Sequence, residues 1–224
     1  MKRFWKIAAL ALTLSAVTAG LLGCRSESKM TEQINAVKSG MEKTRALESG
    51  EIMVYATFKT EHDIDDRLQT SVTESYAKFL NGGTLEYDFT ETRKFTSGAD
   101  MKTYEATVEN GTTVVKRDGE SLDASEAPDI FEAFAVDYVA ADVDKIEVID
   151  GGEQTLYTVT MKSDYSAKAN YSNDGIDYSC KGVRFNYYLD AAGIVRKVLS
   201  EYTYEVTCDT DTQTVVSFSQ TTIN

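Results

Sequence analysis

The sequence is poor in the residues that most often carry out catalysis or bind metals. It has one histidine, His62, one proline, Pro128, and three cysteines in 224 residues. Its single tryptophan is Trp5. A hydrolytic triad normally needs histidine as its base, and zinc sites are built from histidine and cysteine. We therefore predict a protein that is not an enzyme, with no catalytic residue, no metal site and no cofactor.

Acidic side chains are numerous, but their spacing does not define a cation site. Three short groups contain several carboxylate or amide oxygens, which are the ligands that calcium prefers. None of the groups follows the spacing of an EF-hand loop, so we interpret them as solvated turns, with His62 in an exposed loop. The groups are Asp63, Asp65 and Asp66, then Asn173, Asp174 and Asp177, and finally Asp209 and Asp211.

The N-terminus lacks an apolar run long enough to cross a bilayer as a helix. The uncharged run at 7–22 has 16 residues, whereas a spanning helix needs about 20. Lys2, Arg3 and Lys6 precede this run, and Leu21-Leu22-Gly23-Cys24 follows it. A basic head, an apolar middle and small residues before a cleavage point are the parts of an export signal.

The tetrapeptide Leu21-Leu22-Gly23-Cys24 resembles the lipobox of bacterial lipoproteins. In that family a diacylglycerol is attached to the cysteine thiol, and a peptidase cuts directly before it. The resemblance implies a signal peptide at 1–23, lipidation of Cys24 and a short polar tether at 24–30. Two acyl chains bind a membrane stably, so we expect an extracytoplasmic protein on the cell membrane or outer membrane. An ordinary secretory signal and an uncut anchor are the alternatives.

Positive charge is scarce relative to negative charge. The chain has 23 Lys and Arg against 36 Asp and Glu, and removal of the three basic residues of 1–23 changes the net charge from −13 to −16. Such a charge opposes binding to nucleic acid and to anionic headgroups. We predict no nucleic-acid partner and membrane contact through the acyl chains, while a protein partner remains unidentified. With 42% hydrophobic residues, residues 31–224 are predicted to form a single β-rich domain.

Apolar and polar residues alternate with a period of two along most of this domain, which predicts strands joined in hairpins. Asn110-Gly111 is the strongest hairpin signal. Ser71–Leu80 fits both helical and strand periods, and a two-residue turn at Asn81-Gly82 favours a strand. Further strands are predicted around Ile52–Phe58, Leu85–Phe89, Tyr104–Val108, Ile146–Val148, Tyr157–Met161, Val183–Leu189, Val198–Val206 and Val216–Phe218.

Two segments instead have features of amphipathic helices. Thr31–Leu47 has Ile34, Val37 and Met41 at helical spacing, and Ser125–Ala141 begins with a capping serine and a proline. Two helices and consecutive hairpins predict an α+β, mostly β fold. Its curved antiparallel sheet would be an unclosed half-barrel with the two helices covering one face.

This order of elements resembles the LolA-like superfamily of bacterial lipoprotein carriers and lipid-binding lipoproteins. The resemblance rests on architecture and compartment, and it implies a concave apolar surface that holds acyl chains. No residue motif matches, so no binding residue is assigned. We expect a non-catalytic binding module for a lipid or another apolar ligand. The alternative is a structural, interaction or sensor lipoprotein of the cell envelope without a small-molecule ligand.

Cys180 and Cys208 are the cysteines beyond Cys24, and an oxidising compartment permits a disulfide between them. A hairpin centred near Ala192 places them four residues out of register, and strict alternation points them to opposite faces. A bulge or loop at Ser179-Cys180 would permit the bond, so the disulfide is left open.

The thirteen tyrosines are the remaining feature of the sequence that could indicate a function. Six of them fall in predicted strands, where the preference of tyrosine for half-buried pleated surfaces is a sufficient explanation. The functional alternative is an apolar ligand-facing lining with polar tips. The six are Tyr87, Tyr104, Tyr157, Tyr187, Tyr202 and Tyr204.

Overall fold

The computed structural model describes residues 27–59, 70–95, 98–109, 112–123, 127–173, 175–209 and 211–224. The predicted signal peptide, Cys24, His62 and the first acidic group lie outside these ranges. No helix within them is both long and apolar enough to cross a bilayer.

Twelve strands form one antiparallel sheet, which confirms the predicted fold class. They are β1 (Ser49–Lys59), β2 (Ser71–Asn81), β3 (Leu85–Phe95), β4 (Gly98–Glu109), β5 (Thr112–Arg117), β6 (Glu120–Leu122), β7 (Val143–Asp150), β8 (Gln154–Met161), β9 (Tyr171–Asn173), β10 (Ile176–Asp190), β11 (Val195–Cys208) and β12 (Asp211–Ile223). Their order is β6-β5-β4-β3-β2-β1-β12-β11-β10-β8-β7, with β9 paired to β10 off this path. In the described strands, β6 and β7 lie at opposite ends of this order, so the sheet is not closed into a barrel.

The predicted hairpins are present, with one difference in loop length. Ser71–Leu80 is a strand as predicted, and Glu109 pairs with Thr112 across the predicted turn. Asn81 pairs with Leu85, so β2 and β3 are joined by a three-residue loop rather than a two-residue turn. Gly83 in this loop has φ +100°, a left-handed conformation that glycine adopts without strain.

The N-terminal helix α1 (Glu27–Arg45) covers one face of the sheet, which we call the inner face. It includes the last four residues of the predicted tether. Ile34, Val37 and Met41 are buried as the helical spacing predicts. Gly40 allows the helix to approach the sheet closely, because a Cβ at this position would lie 2.9 Å from Val195 Cγ2.

The C-terminal end of α1 is attached to the turn between β10 and β11. Lys43 Nζ donates a hydrogen bond to the Ala192 carbonyl at 2.8 Å, and Thr44 Oγ1 donates to the Val195 carbonyl at 2.8 Å. Thr44 is fully buried, and its hydroxyl also lies 2.9 Å from the Gly40 carbonyl oxygen of its own helix, so the buried group has acceptors on both the helix and the sheet. These bonds fix one end of the helix against the sheet.

The second helix is not where the sequence predicts it. The described part of Ser125–Ala141 contains two one-turn 3-10 helices, Glu132–Phe134 and Ala140–Asp142, and the second α-helix, α2, is a single turn at Ser163–Ser166. Phenylalanine, valine, tyrosine and aspartate have low helix propensity, and this segment packs its side chains directly on the inner face. Its buried apolar residues are Ile130, Phe131, Phe134 and Tyr138.

Candidate ligand-binding site on the inner face

Nine aromatic rings form a continuous chain of contacts on the inner face, which we call the tyrosine cluster. Neighbouring ring centroids lie 4.2 to 6.3 Å apart, within the range of favourable aromatic pairs. The members are Phe58, Tyr138, Tyr165, Tyr171, Tyr178, Phe185, Tyr187, Tyr202 and Tyr204.

The tyrosine cluster runs from the protein core to the surface. Tyr138 and Tyr187 are fully buried, and the Tyr138 hydroxyl donates to the Tyr187 hydroxyl at 3.2 Å. Tyr165 and Tyr202 are half-buried, and Tyr171 is 46% exposed. The cluster therefore presents an aromatic surface to solvent that is continuous with the core.

The phenols of this cluster are uncharged at neutral pH. Burial raises the pKa of Tyr171 to about 12, and the nearby Tyr178 adds to the effect. Burial is also the main cause that raises the pKa of Tyr138, Tyr165, Tyr187, Tyr202 and Tyr204. A surface of neutral phenols is apolar on its ring faces and has hydroxyl groups at its edges.

A row of short side chains lies beside the tyrosine cluster. Thr73 on β2 pairs with Ala56 on β1, and Ala56 pairs with Ser219 on β12. Ser219 pairs with Ser200 on β11, which pairs with Phe185 of the cluster. Directly paired residues project from the same face, and the four short residues are half-buried. Together they form a row of short side chains on the inner face next to the aromatic rings.

Two carboxylates lie close to the half-buried rings. The Tyr165 hydroxyl donates to Asp137 Oδ1 at 2.8 Å. Burial is the largest cause that raises the pKa of Tyr202, and the negative charges of Asp137 and Glu132 raise it further. Among the described residues, neither carboxylate forms an ion pair. This side of the cluster therefore carries uncompensated negative charge.

The sequence identified only part of this cluster. Tyr187, Tyr202 and Tyr204 belong to it, while Tyr87 donates to the Pro128 carbonyl at 3.2 Å and Tyr157 is half-buried on β8. The side chain of Tyr104 lies outside the described residues. The members that sequence reasoning missed include Tyr138, Tyr165, Tyr171 and Tyr178. The last three share one feature of the sequence, because eight of the thirteen tyrosines lie between 157 and 204.

Cys180 and Cys208 are both buried and are not joined by a disulfide. Cys180 pairs with Tyr204, whereas Cys208 pairs with Ile176, so the predicted four-residue offset is present. A bulge at Lys181 reverses the predicted side-chain direction of Cys180 and places both thiols on the inner face. Four residues correspond to about 13 Å along a strand, beyond the reach of a disulfide, whose Cα atoms lie within about 7 Å.

Within the described ranges, the other polar candidates do not form a metal site or an activated nucleophile. The described residues contain no group of three histidine, cysteine, aspartate or glutamate side chains placed to hold a metal ion. Asp177 instead accepts a hydrogen bond from Ser172 Oγ at 2.5 Å. Burial raises the pKa of the Cys180 thiol, which is opposite to the change that activates a thiolate nucleophile.

Comparisons with known proteins do not assign this chain to a family. No protein-family model matches the chain, and no curated protein matches it. Among solved structures, the chain is similar to a DUF1329 family protein from Desulfovibrio piger, with 11% sequence identity and a TM-score of 0.27. The match covers 87% of this chain and 91% of that one. A TM-score this low does not establish a shared fold.

Proposed function

We propose that this protein is an extracytoplasmic bacterial lipoprotein whose folded part is a non-catalytic binding module for a lipid or another apolar ligand. The observation that carries the proposal is the tyrosine cluster, which extends from the buried Tyr187 to the exposed Tyr171. Burial of an apolar ligand against such a surface would stabilise the complex by about 25 cal/mol for each Å² removed from water. The adjacent row of short side chains would allow a ligand to lie along the sheet beside the aromatic rings.

The charges around the cluster favour a ligand whose head is neutral or cationic. Asp137 and Glu132 would repel a carboxylate placed near Tyr202, and the net charge of the chain has the same sign. Ring faces also attract organic cations, as Lys168 Nζ illustrates at 5.0 Å from the Tyr165 ring centroid. An acyl ester or an amine-bearing amphiphile fits these charges better than a fatty-acid anion.

In this proposal, two or more acyl chains on Cys24 anchor the protein in the cell membrane or the outer membrane. Helix α1 begins at Glu27, so only Arg25 and Ser26 separate it from the lipidated residue. The three Cα–Cα steps from Cys24 to Glu27 span at most about 11 Å. The binding module would therefore lie close to the bilayer surface, where an apolar ligand could enter it from the membrane.

Mass spectrometry of co-purified lipid tests this function. A form of the protein that begins at Ser26 is purified without detergent, and its organic extract is analysed. We expect stoichiometric lipid, with less lipid retained by a Tyr171→Ala variant. Tyr55→Ala is the matched control, because Tyr55 has a similar exposure of 44% but lies on the outer face. A folded, monodisperse protein without lipid would argue against the proposal.

One observation favours the alternative of an interaction lipoprotein. The outer face of β1 and β2 exposes Met53, Tyr55 and Tyr76 at 41%, 44% and 41%, and Met53 pairs with Tyr76. Adjacent exposed apolar residues are typical of protein interaction surfaces. In this case the protein would be free of lipid, and Tyr55→Ala rather than Tyr171→Ala would reduce cross-linking to envelope proteins in intact cells.

A further inference from the structure

Asn81 lies at the corner where β2, α1 and β1 meet. Its backbone N–H donates to the Glu48 carbonyl at 2.7 Å, and its side-chain Nδ2 donates to the Arg45 carbonyl at 3.2 Å. Arg45 is the last residue of α1, and the last four carbonyls of a helix have no partner within the helix. The Asn81 amide therefore caps the C-terminus of α1 and connects it to the sheet.

The residue after Asn81 has no side chain that would hinder attack on the Asn81 amide by the following backbone nitrogen. Gly82 is exposed, and no atom outside its two chain neighbours lies within 4 Å of the place where its Cβ would be. An asparagine followed by glycine is the pair in which the following backbone nitrogen most readily reaches the side-chain amide carbon, because glycine has no side chain to obstruct the approach.

We propose that Asn81 is a deamidation site whose conversion loosens α1 from the sheet. The Gly82 nitrogen forms a bond to Asn81 Cγ, the bond from Cγ to Nδ2 breaks, and ammonia leaves with the proton of the Gly82 N–H. Water then opens the five-membered imide to give aspartate or isoaspartate. The reaction needs no reactant other than water.

The product has the wrong charge and the wrong hydrogen-bonding capacity for this position. An ionised carboxylate only accepts hydrogen bonds, so it cannot donate to the Arg45 carbonyl. It would also lie at the negative end of the helix dipole, where an anion is unfavourable. The Arg45 guanidinium does not compensate this charge, because it already donates to the Phe131 carbonyl and pairs with Asp129.

The same contacts control when the reaction occurs. While α1 is docked, the hydrogen bond from Asn81 Nδ2 to the Arg45 carbonyl restricts rotation of the Asn81 side chain toward the Gly82 nitrogen. Attack therefore requires a local opening of this corner, of the kind that amide hydrogen exchange detects. Each conversion of Asn81 follows an opening of this corner and makes later openings of the same molecule easier. The fraction of converted Asn81 therefore increases irreversibly with the time that α1 spends undocked.

Peptide mass spectrometry of the purified full-length protein, aged at mildly alkaline pH, tests the reaction. We expect Asn81 to convert in the folded protein, more slowly than in the same protein kept in denaturant. Gly82→Ala is the matched control, since it keeps the amide and should lose most of the conversion. The other Asn-Gly pair, Asn110-Gly111, serves as an internal comparison. Conversion of Asn81 no greater than in Gly82→Ala would overturn the proposal.

The consequence for α1 is tested separately with an Asn81→Asp variant, which resembles the product. We expect its Tm to fall by about 2–4 °C, the shift typical of one lost hydrogen bond in a chain of this size. We also expect faster tryptic cleavage after Lys43 and Arg45, at the released end of α1. A variant with the Tm and cleavage rate of the unchanged protein would contradict the loosening.

Discussion

The Tyr171 ring stacks on the Tyr178 ring, with centroids 4.2 Å apart and an angle of 7° between the planes. Tyr178 is buried on β10, whereas Tyr171 lies on the three-residue strand β9 and is 46% exposed. Strand β9 thus extends the aromatic surface of the core by one ring toward solvent. The outward part of Tyr171 is where an incoming ligand would first contact the tyrosine cluster.

Tyr171→Ala should therefore weaken binding of an apolar ligand more than it weakens the fold. We expect a several-fold increase in the Kd for a fluorescent acyl ester, because a stacking surface is lost. Tyr171→Phe should keep most of the affinity, since it retains the ring. Titration of both variants beside Tyr55→Ala measures this, and equal losses for Tyr171→Ala and Tyr55→Ala would mean that the cluster is not the binding site.

The hydroxyl pair of Tyr138 and Tyr187 allows the buried part of the cluster to be tested by a double-mutant cycle. Tyr138→Phe should lower the free energy of unfolding by about 1 kcal/mol, because it removes one partner of a buried hydrogen bond. The double change to phenylalanine at both positions should restore part of this loss, since no buried hydroxyl is left behind. Denaturant unfolding of the four proteins gives the coupling, and strictly additive losses would contradict an interaction between the hydroxyls.

Gly40→Ala tests how closely α1 approaches the sheet. Alanine has the higher helix propensity by about 1 kcal/mol, so the change would stabilise an exposed helix. Here the added Cβ would lie 2.9 Å from Val195 Cγ2 and 3.0 Å from the Gly193 carbonyl oxygen. We expect a net destabilisation of about 1–3 kcal/mol from overpacking, measured by denaturant unfolding. The exposed position Ser39 provides the control, where Ser39→Ala should not destabilise.

The cysteines provide a chemical check of the sheet register. Because the pairing separates Cys180 from Cys208 by four residues, both should be present as thiols even in protein prepared without reductant. Denaturation in the presence of an alkylating reagent, followed by mass spectrometry, should show both residues modified. A disulfide-linked peptide pair would instead require a different register at the end of this hairpin.

More of the fold than of the candidate site could be predicted from the sequence. Strand positions and the offset of Cys180 follow from period-two alternation and turn residues, which are local signals. The reversed direction of Cys180 could not be predicted, because it depends on a bulge at Lys181 that no turn residue marks. The segment containing Phe134 and Tyr138 has helical spacing, yet its packing against the sheet outweighs a weak helical preference.

The site was harder to predict because its members come from distant parts of the chain. Tyr138 and Phe185 stack with centroids 5.7 Å apart, although one lies in an irregular segment and the other in a strand. Tyr165 reaches the cluster from α2, which has no periodic signal in the sequence. Only the density of tyrosines after residue 157 indicated that aromatic contacts would concentrate there.

The raised pKa values of the tyrosine cluster predict that the protein loses stability at alkaline pH. Burial raises the pKa of Tyr171 to about 12 from its ordinary value of 10, and it raises those of Tyr187 and Tyr204 as well. Above pH 10 the unfolded chain releases phenolic protons that the folded chain keeps. The unfolded state then binds fewer protons, so the free energy of unfolding falls as pH rises. Below about pH 9 the phenols are neutral in both states and contribute no pH dependence.

We therefore expect unfolding midpoints in denaturant to be insensitive to tyrosine ionisation up to about pH 9 and to decrease progressively above pH 10. Tyrosinate absorbance of the folded protein should show a group of phenols that ionise only together with unfolding. Tyr187→Phe removes one of these buried phenols and should reduce the slope of stability against pH. Ionisation of all the tyrosines near pH 10 without loss of structure would mean that the cluster is open to water, and its role as an apolar binding surface would then have to be abandoned.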